Sequence, residues 1–188
     1  MRLNIRYVAS IVGMSGAIAA VFMMPREGEK FKAYPDGIGV WTICRGHTEG
    51  VYEGMIATAE QCDKWYIEDV AIATRAYERL VHVEHHPNVK AASISFIFNA
   101  GAGNFATSTL RKKLNAGDRV GACNQFPRWK YAGGKDCNIR ANKCFGIITR
   151  RQEEKELCLE NTLSVCPDFN FADFSGCLQS SQLASGQL

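Results

Sequence analysis

The pattern of hydrophobic and polar positions predicts a short β-hairpin near the start of the chain. Residues 31–34 and 40–45 read as strands on either side of a Pro-Asp-Gly turn at residues 35–37. Proline presets one backbone dihedral of such a turn, and glycine adopts the positive one. Side chains alternate along a strand, so Thr42 is expected on one face and Trp41 on the other.

The remainder of the pattern is helical. Thr58 and Gln61 form a capping-box pattern, and apolar residues at helical spacing then continue to about Leu80. A second helix is expected from Pro87 to Ala100, ended by the glycine-containing run at residues 101–104. Shorter helices are expected in three further stretches, which are residues 108–115, 118–126 and 147–161.

Length and charge narrow the possible classes of protein. At 188 residues the chain suits one ordinary domain, or two small lobes that share a helix. Its net charge of +3 helps approach to an anionic surface such as murein, but it is too small to indicate a nucleic-acid-binding protein. The longest basic run, residues 111–113, fits a solvated helix face.

Eight cysteines in a chain of this size indicate disulfides and an oxidising compartment. A structural zinc site is the rival interpretation. It is disfavoured because the sequence has no CxxC pair, and tetrahedral zinc sites use spacings of two to four residues. The candidate bridges are hypotheses, namely Cys44–Cys62, Cys123–Cys158, Cys137–Cys144 and Cys166–Cys177.

The first 24 residues have the character of an export signal. Arg2 and Arg6 precede an uncharged stretch at residues 7–24, an arrangement that keeps the N-terminus in the cytoplasm and exports the downstream part of the chain. As a helix this stretch would span roughly 27 Å, which is marginal for a hydrocarbon core of about 30 Å.

Three fates of this segment are compatible with its sequence. Residues 17–19 offer a small-residue cleavage pattern, so the segment could be a cleaved signal peptide. It could also be a permanent anchor, or a weak anchor that later leaves the bilayer, because alanine, glycine and serine give it low affinity for lipid. Alternatively, small residues spaced four apart at Ala9, Gly13 and Ala17 could form a helix-packing stripe.

The candidate chemistry lies around the predicted hairpin. Glu27, Asp36 and Thr42 follow one another at intervals of nine and six residues. Sugar hydrolysis needs an acid that protonates the leaving oxygen, with a carboxylate and a polar group that position water on the other side. Chance would produce such a triplet in roughly one chain in thirty of this length, so the surrounding residues decide its meaning.

Those surroundings resemble the catalytic hairpin of phage-type lysozymes, glycoside hydrolase family twenty-four. That family has Glu, Asp and Thr at these intervals, with glycines between Asp and Thr and a Gly-His pair after them. The matching glycines and histidine here are Gly37, Gly39, Gly46 and His47. The likeness continues through FNAGAGNF at residues 98–105, RWKYAGG at residues 128–134 and the pair Arg150-Arg151, and it covers roughly residues 25–160.

The resemblance implies an α+β, mainly helical, lysozyme-like fold, with a small β-hairpin lobe joined by a long helix to a helical lobe. The catalytic domain would occupy residues 25–163, divided into lobes at 25–57 and 58–163, with a polar tail at 164–188. The implied activity is hydrolysis of the β-1,4 bond between N-acetylmuramic acid and N-acetylglucosamine in peptidoglycan, without metal or cofactor. Asn99, Gly101 and Asn104 would border the saccharide groove.

Under this interpretation Glu27 is the general acid. Asp36 stays ionised and, with the Thr42 hydroxyl, holds the attacking water, which predicts inversion at the anomeric carbon. Glu29 is a rival acid only two residues away, but the family interval matches Glu27. His47 is expected to hydrogen-bond within the hairpin, and the other histidines lack the HExxH arrangement of a metalloprotease site.

The N-terminal stretch resembles the signal-anchor-release segments of a subset of phage endolysins. While it spans the inner membrane, Glu27 would be held at the headgroups, away from Asp36 and Thr42. Release into the periplasm would then activate a monomeric phage or prophage lysis enzyme. The rival functions are a lytic transglycosylase, a non-catalytic membrane-tethered wall-binding protein, and a membrane-perturbing protein.

Overall fold

A computed structural model of the chain describes residues 5–26, 28–36 and 39–160. It contains two short antiparallel hairpins and seven α-helices within these ranges. The strands are β1 (Lys30–Pro35), β2 (Trp41–Cys44), β3 (Tyr131–Ala132) and β4 (Lys135–Asp136). The helices are α1 (Ile5–Met23), α2 (Ala59–Leu80), α3 (Pro87–Ala100), α4 (Ala102–Thr107), α5 (Thr109–Asn115), α6 (Arg119–Cys123) and α7 (Gly146–Leu159).

The first hairpin forms where the turn signal predicts it. In the antiparallel pairing of β1 with β2, Tyr34 lies opposite Thr42 and Pro35 lies opposite Trp41. Trp41 packs against a small hydrophobic core, but the expected alternation of faces along β2 is not seen, since Thr42, Ile43 and Cys44 are all buried. The buried members of that core are Ala33, Ile43, Cys44, Ala57 and Cys62.

Helix α2 begins at the predicted capping box. The Gln61 backbone N–H donates to Thr58 Oγ1 at 3.2 Å, and the Thr58 N–H donates to Gln61 Oε1 at 2.8 Å. The helix contributes Cys62 to the small core and Tyr66 to the larger helical core. It therefore connects the two hydrophobic clusters, and the predicted α+β, mainly helical fold class is confirmed.

Two predictions in the helical part need correction. Gly101, with φ at 88°, ends α3 as expected, but residues 101–104 are not simply a terminating turn because α4 starts at Ala102. The helix predicted over residues 118–126 is shorter, since α6 ends at Cys123 and a 3-10 turn follows at Phe126–Arg128. Pro127 has no N–H to donate, which favours this break.

The N-terminal helix α1 is part of the larger core. Val8, Ala19 and Met23 are fully buried in the hydrophobic cluster that α2 and α3 also build. Gly13 interrupts the helix with φ at 68° and ψ at 178°, a conformation that suits glycine. None of the helices in the described ranges is both long and apolar enough to cross a membrane.

Three disulfides join segments of the chain within the described residues. Cys44–Cys62 joins β2 to α2, Cys123–Cys158 joins α6 to α7, and Cys137–Cys144 closes a short loop. These are three of the four candidate pairs. The fourth, Cys166–Cys177, lies outside the described residues, as does the expected polar tail.

Candidate active site

The backbone of Val40 connects the two predicted catalytic groups of the hairpin. The Asp36 N–H donates to the Val40 carbonyl at 2.9 Å, and the Val40 N–H donates to Asp36 Oδ1 at 2.8 Å. The Thr42 hydroxyl donates to the same Val40 carbonyl at 3.0 Å. Asp36 and Thr42 are thus fixed to one backbone unit at the turn end of the hairpin.

Thr42 is well suited to orient a water molecule. Its side chain is only 4% exposed, so its rotamer is restricted by the surrounding lobe. Because the Thr42 hydroxyl donates its proton to the Val40 carbonyl, the lone pairs of the hydroxyl oxygen are left to accept hydrogen bonds from water. Asp36 is half-buried, with one carboxylate oxygen accepting the Val40 N–H.

Glu27 lies outside the described residues, between the 3-10 turn Met24–Arg26 and the start of β1. Its neighbour Glu29 is described and forms an ion pair with Arg45, whose Nη2 lies 2.7 Å from Glu29 Oε1. A general acid must carry a proton to donate, whereas this carboxylate is used as an acceptor for arginine. The contact therefore disfavours Glu29 as the acid.

His47 anchors the hairpin to α2. Its backbone exchanges two hydrogen bonds with Ile43, at 2.9 and 3.0 Å, as the expected role within the hairpin requires. Its buried ring, however, reaches out of the hairpin, since Nδ1 lies 3.0 Å from Asp69 Oδ2 and the ring stacks on Trp65 at 4.8 Å. Burial raises the pKa of the Asp69 carboxyl, and the hydrogen bond to His47 acts in the opposite direction.

The three expected groove residues lie at the junction of α3 and α4. Asn99 accepts a hydrogen bond from Arg151 through its side-chain oxygen, and Asn104 Nδ2 donates to the Ala100 carbonyl at 2.7 Å. Gly101 is exposed. The two amides thus already have partners within the protein, and their contact with saccharide stays a prediction.

Arg151, from the basic pair in the resemblance, is buried in the helical lobe. Its Nη1 lies 2.6 Å from Glu154 Oε2, and its guanidinium lies over the Phe96 ring at 4.8 Å. Glu154 Oε1 accepts a hydrogen bond of 2.7 Å from Ser95. Burial lowers the pKa of the Arg151 guanidinium, which Glu154 opposes. This network joins α3 to α7, so Arg151 has a structural role.

The sequence did not identify several residues that surround the hairpin, among them Arg45, Asp63, Tyr66 and Asp69. One signal for the first two was present, because a basic and an acidic residue directly follow the cysteines of a candidate disulfide, Cys44 and Cys62. The pattern places Tyr66 in the apolar stripe of the long helix, but it predicts neither the bond of Tyr66 to Ala20 nor that of Asp69 to His47.

The rings of His85 and His86 have structural partners. His85 Nε2 lies 3.0 Å from the Leu114 carbonyl, and the His86 ring accepts the Asn88 N–H at the start of α3, at 3.3 Å. Within the described residues, no group of three or more histidine, cysteine, aspartate or glutamate side chains is arranged to hold a metal.

The family model described as Phage lysozyme matches residues 25–154. The chain belongs to the phage lysozyme family. It is 39% identical over 158 residues to a protein named SAR-endolysin from Enterobacteria phage P21, a match that covers 80% of this chain and 92% of the relative. A protein of the same name from bacteriophage PS119 is 38% identical over 159 residues, with 81% and 91% covered.

Solved structures of this kind share the fold. A variant of P22 lysozyme is 36% identical with a TM-score of 0.62, and the match covers 76% of this chain and 95% of that one. The muramidase domain of SpmX from Asticaccaulis excentricus is 28% identical with a TM-score of 0.66 and the same coverage. The predicted enzyme class is confirmed: this phage lysozyme is a glycoside hydrolase whose substrate is peptidoglycan.

Proposed function

We propose that this phage lysozyme is an exported endolysin in which Glu27, Asp36 and Thr42 hydrolyse the β-1,4 bond between N-acetylmuramic acid and N-acetylglucosamine. The observation that carries the proposal is the shared attachment of Asp36 and Thr42 to the backbone of Val40. It supports a site in which a carboxylate and a hydroxyl act on one molecule of water.

Each residue has a separate chemical role in this mechanism. Glu27 protonates the leaving glycosidic oxygen, while Asp36 accepts a proton from the water that attacks the anomeric carbon. The Thr42 oxygen accepts the second hydrogen bond of that water and so fixes its orientation. Attack from the face opposite the leaving group inverts the configuration of the sugar.

The arrangement favours hydrolysis over a lytic transglycosylase reaction. A transglycosylase uses an internal hydroxyl of the muramic acid as the nucleophile, so it needs an acid but no residues that position water. Here the Thr42 hydroxyl proton is bound by the Val40 carbonyl, which leaves an acceptor for water beside Asp36. A non-catalytic wall-binding protein would not need a carboxylate and a hydroxyl acceptor placed side by side in this way.

We further propose that residues 1–24 tether the protein to the inner membrane and later release it into the periplasm. The relatives named SAR-endolysins and the packing of α1 support this. While residues 7–24 lie in a bilayer, Val8, Ala19 and Met23 cannot pack against α2 and α3. Glu27, only four residues after Met23, would be kept away from the hairpin.

Cleavage of the segment is the competing fate, and the fold disfavours it. A cut at the small-residue pattern of residues 17–19 would fall inside α1, where Ala17, Ile18 and Ala19 are buried in the core. Removing the N-terminal part of that helix would expose the apolar surface that it covers. Release without cleavage keeps the N-terminal part of α1 packed on this apolar surface.

The proposal treats the enzyme as a monomer that acts on peptidoglycan and not on nucleic acid. Its test is turbidity loss of outer-membrane-permeabilised cells with purified protein, in parallel with N-terminal sequencing of protein recovered from the periplasm. The proposal expects rapid loss of turbidity and an N-terminus that retains residues 1–24. Wall binding without clearing would contradict the hydrolytic function. An N-terminus that begins after residue 19 would contradict release without cleavage.

A further inference from the structure

We propose that Arg45 is a positioning residue for the general acid. It ties the segment that follows Glu27 to the first turns of α2, and this role rests on the proposed function of Glu27. Arg45 carries the proposal because it bridges two carboxylates from different parts of the chain. Glu29 belongs to the segment that follows the proposed general acid. Asp63 belongs to α2, the helix that joins the two hydrophobic cores.

The bridge is short on both sides and largely removed from solvent. Arg45 Nη2 lies 2.7 Å from Glu29 Oε1, and Arg45 Nη1 lies 2.7 Å from Asp63 Oδ1. The Arg45 side chain is only 13% exposed, with Asp63 at 18% and Glu29 at 32%. A guanidinium presents its donors in a rigid fork, so two carboxylates at these distances fix its plane.

The attachment of β2 to α2 does not by itself require this arginine. Cys44, the residue before Arg45, is already bonded to Cys62, the residue before Asp63. The disulfide and the Arg45–Asp63 pair therefore join the same two short segments side by side. What Arg45 adds is the second contact, to Glu29, which the disulfide cannot supply.

A second contact secures the chain on the other side of Glu27. The Tyr66 hydroxyl donates to the Ala20 carbonyl at 2.6 Å, and Tyr66 lies one helical turn after Asp63. The Arg45 guanidinium lies 5.5 Å from the centre of the Tyr66 ring, so the two attachment points adjoin. Ala20 is thus bonded directly to Tyr66 of α2, and Glu29 is linked to Asp63 of the same turn through Arg45.

This two-point attachment limits the displacement of the described segments that precede and follow Glu27. A proton donor works only within hydrogen-bond reach of the leaving oxygen, and a displacement of about 1 Å can cost on the order of 100-fold in rate. Loss of the Glu29 contact frees one side of the segment while the Tyr66 contact holds the other. The expected consequence is a slower chemical step with little effect on the binding of glycan.

The test compares Glu29→Gln with Asp63→Asn, two isosteric changes on opposite sides of the same arginine. Initial rates of muropeptide release are measured against the concentration of purified sacculi, well below the Tm of every variant. We expect E29Q to lower kcat about tenfold at unchanged KM. D63N should lower Tm but affect kcat less, because the disulfide still holds β2 against α2.

Arg45→Met and the double variant E29Q/R45M complete the test. If Arg45 acts through Glu29, the double variant has the kcat of R45M alone, and Arg45→Lys recovers part of the loss. Arg119→Met is the matched control, since Arg119 bonds the carbonyls of Cys158 and Glu160 in the helical lobe. It should lower Tm and leave kcat unchanged.

The outcomes separate this proposal from the proposed function. Wild-type kcat in E29Q, alongside a wild type that cuts sacculi and an inactive Glu27→Gln, would overturn the positioning role alone. An equal loss of kcat in R119M and E29Q would overturn it as well, since it would indicate general destabilisation. A wild type that leaves sacculi intact would overturn both proposals.

Discussion

The hydroxyl of Tyr66 in α2 donates a hydrogen bond of 2.6 Å to the backbone carbonyl of Ala20 in α1. The two residues are 46 positions apart, and one of them belongs to a segment with the sequence of an export signal. In the folded form that segment is therefore an integral part of the core. Its removal or repacking should affect stability as well as localisation.

Tyr66→Phe should destabilise the folded form. It leaves the buried Ala20 carbonyl without this hydrogen bond, and the expected loss is about 1 kcal/mol in the free energy of unfolding. Urea denaturation of the purified protein measures it. Tyr52→Phe is the control, because Tyr52 is 64% exposed and should change stability little. Equal effects in the two variants would show that the contact contributes nothing.

Deletion of residues 1–24 should cost more than Tyr66→Phe. The sequence alone predicts that purified truncated enzyme stays active, unless the released segment packs onto the domain and is needed for full activity. The burial of Val8, Ala19 and Met23 favours the second outcome, since deletion exposes the apolar surface that these residues cover. A truncated protein with wild-type Tm and activity would contradict the integral role of α1.

Gly16→Leu should oppose the released form. A Cβ at Gly16 would lie 2.6 Å from Val12 Cβ and 3.0 Å from Thr74 Oγ1, so the packed helix has no room for it. Ser10→Leu also adds an apolar side chain to α1, but at an exposed position. Both changes should increase retention in the membrane fraction, whereas G16L should lower the Tm of the soluble form more than S10L does. Equal Tm values would exclude a packing effect.

The Asp69 carboxyl should make folding depend on pH. Burial raises its pKa in the folded state above the ordinary value of 3.8, so the folded state binds more protons than the unfolded state in that range. This contribution to stability is fully present below pH 3.8 and is lost as pH rises through the raised pKa. Asp69→Asn should remove this dependence. Denaturation measured from about pH 3 upward, in both proteins, tests the sign.

The disulfides should differ in their effect on activity. Opening Cys44–Cys62 by C44A/C62A, or Cys123–Cys158 by C123A/C158A, should each cost about 3 kcal/mol, because both close loops of moderate length. Only the first pair holds the hairpin against α2, so only its loss should lower kcat at a temperature where both variants are folded. Peptide mapping without reductant should recover both bridges.

Much of the fold followed from local signals. Short-range hydrogen bonds stabilise the Thr58 capping box and the pairing of Asp36 with Val40. The start of α2 and the two strands of the first hairpin were each predicted within a residue or two. The end of α3 was predicted, but the start of α4 at Ala102 was not, because a left-handed glycine can end one helix and also precede another. Gly101 does both.

The site was predicted less completely, for a physical reason. Regular spacing in a family motif marks Asp36 and Thr42, but the partners that hold the hairpin come from a helix that starts later in the chain. The pairs Arg45–Asp63 and His47–Asp69 span 18 and 22 residues. Hydrophobic periodicity identifies which side of α2 is apolar, and it does not identify which carboxylate meets which cation.

Glu27→Gln and Glu29→Gln should differ sharply in lysis. E27Q removes the proposed proton donor and should lower the rate at least about 100-fold, since general acid catalysis contributes that much or more. E29Q removes the negative charge of one Arg45 partner and should leave measurable lysis. Circular dichroism should show both variants folded. The reverse order of activities would move the acid to Glu29.

The most direct measurement is mass spectrometry of the products that purified wild-type protein and E27Q release from purified sacculi. We expect the wild type to release muropeptides with reducing N-acetylmuramic acid ends that carry one added water, and E27Q to release almost none. Intact sacculi with the wild type, or products that end in anhydro-muramic acid, would contradict hydrolysis by Glu27, Asp36 and Thr42.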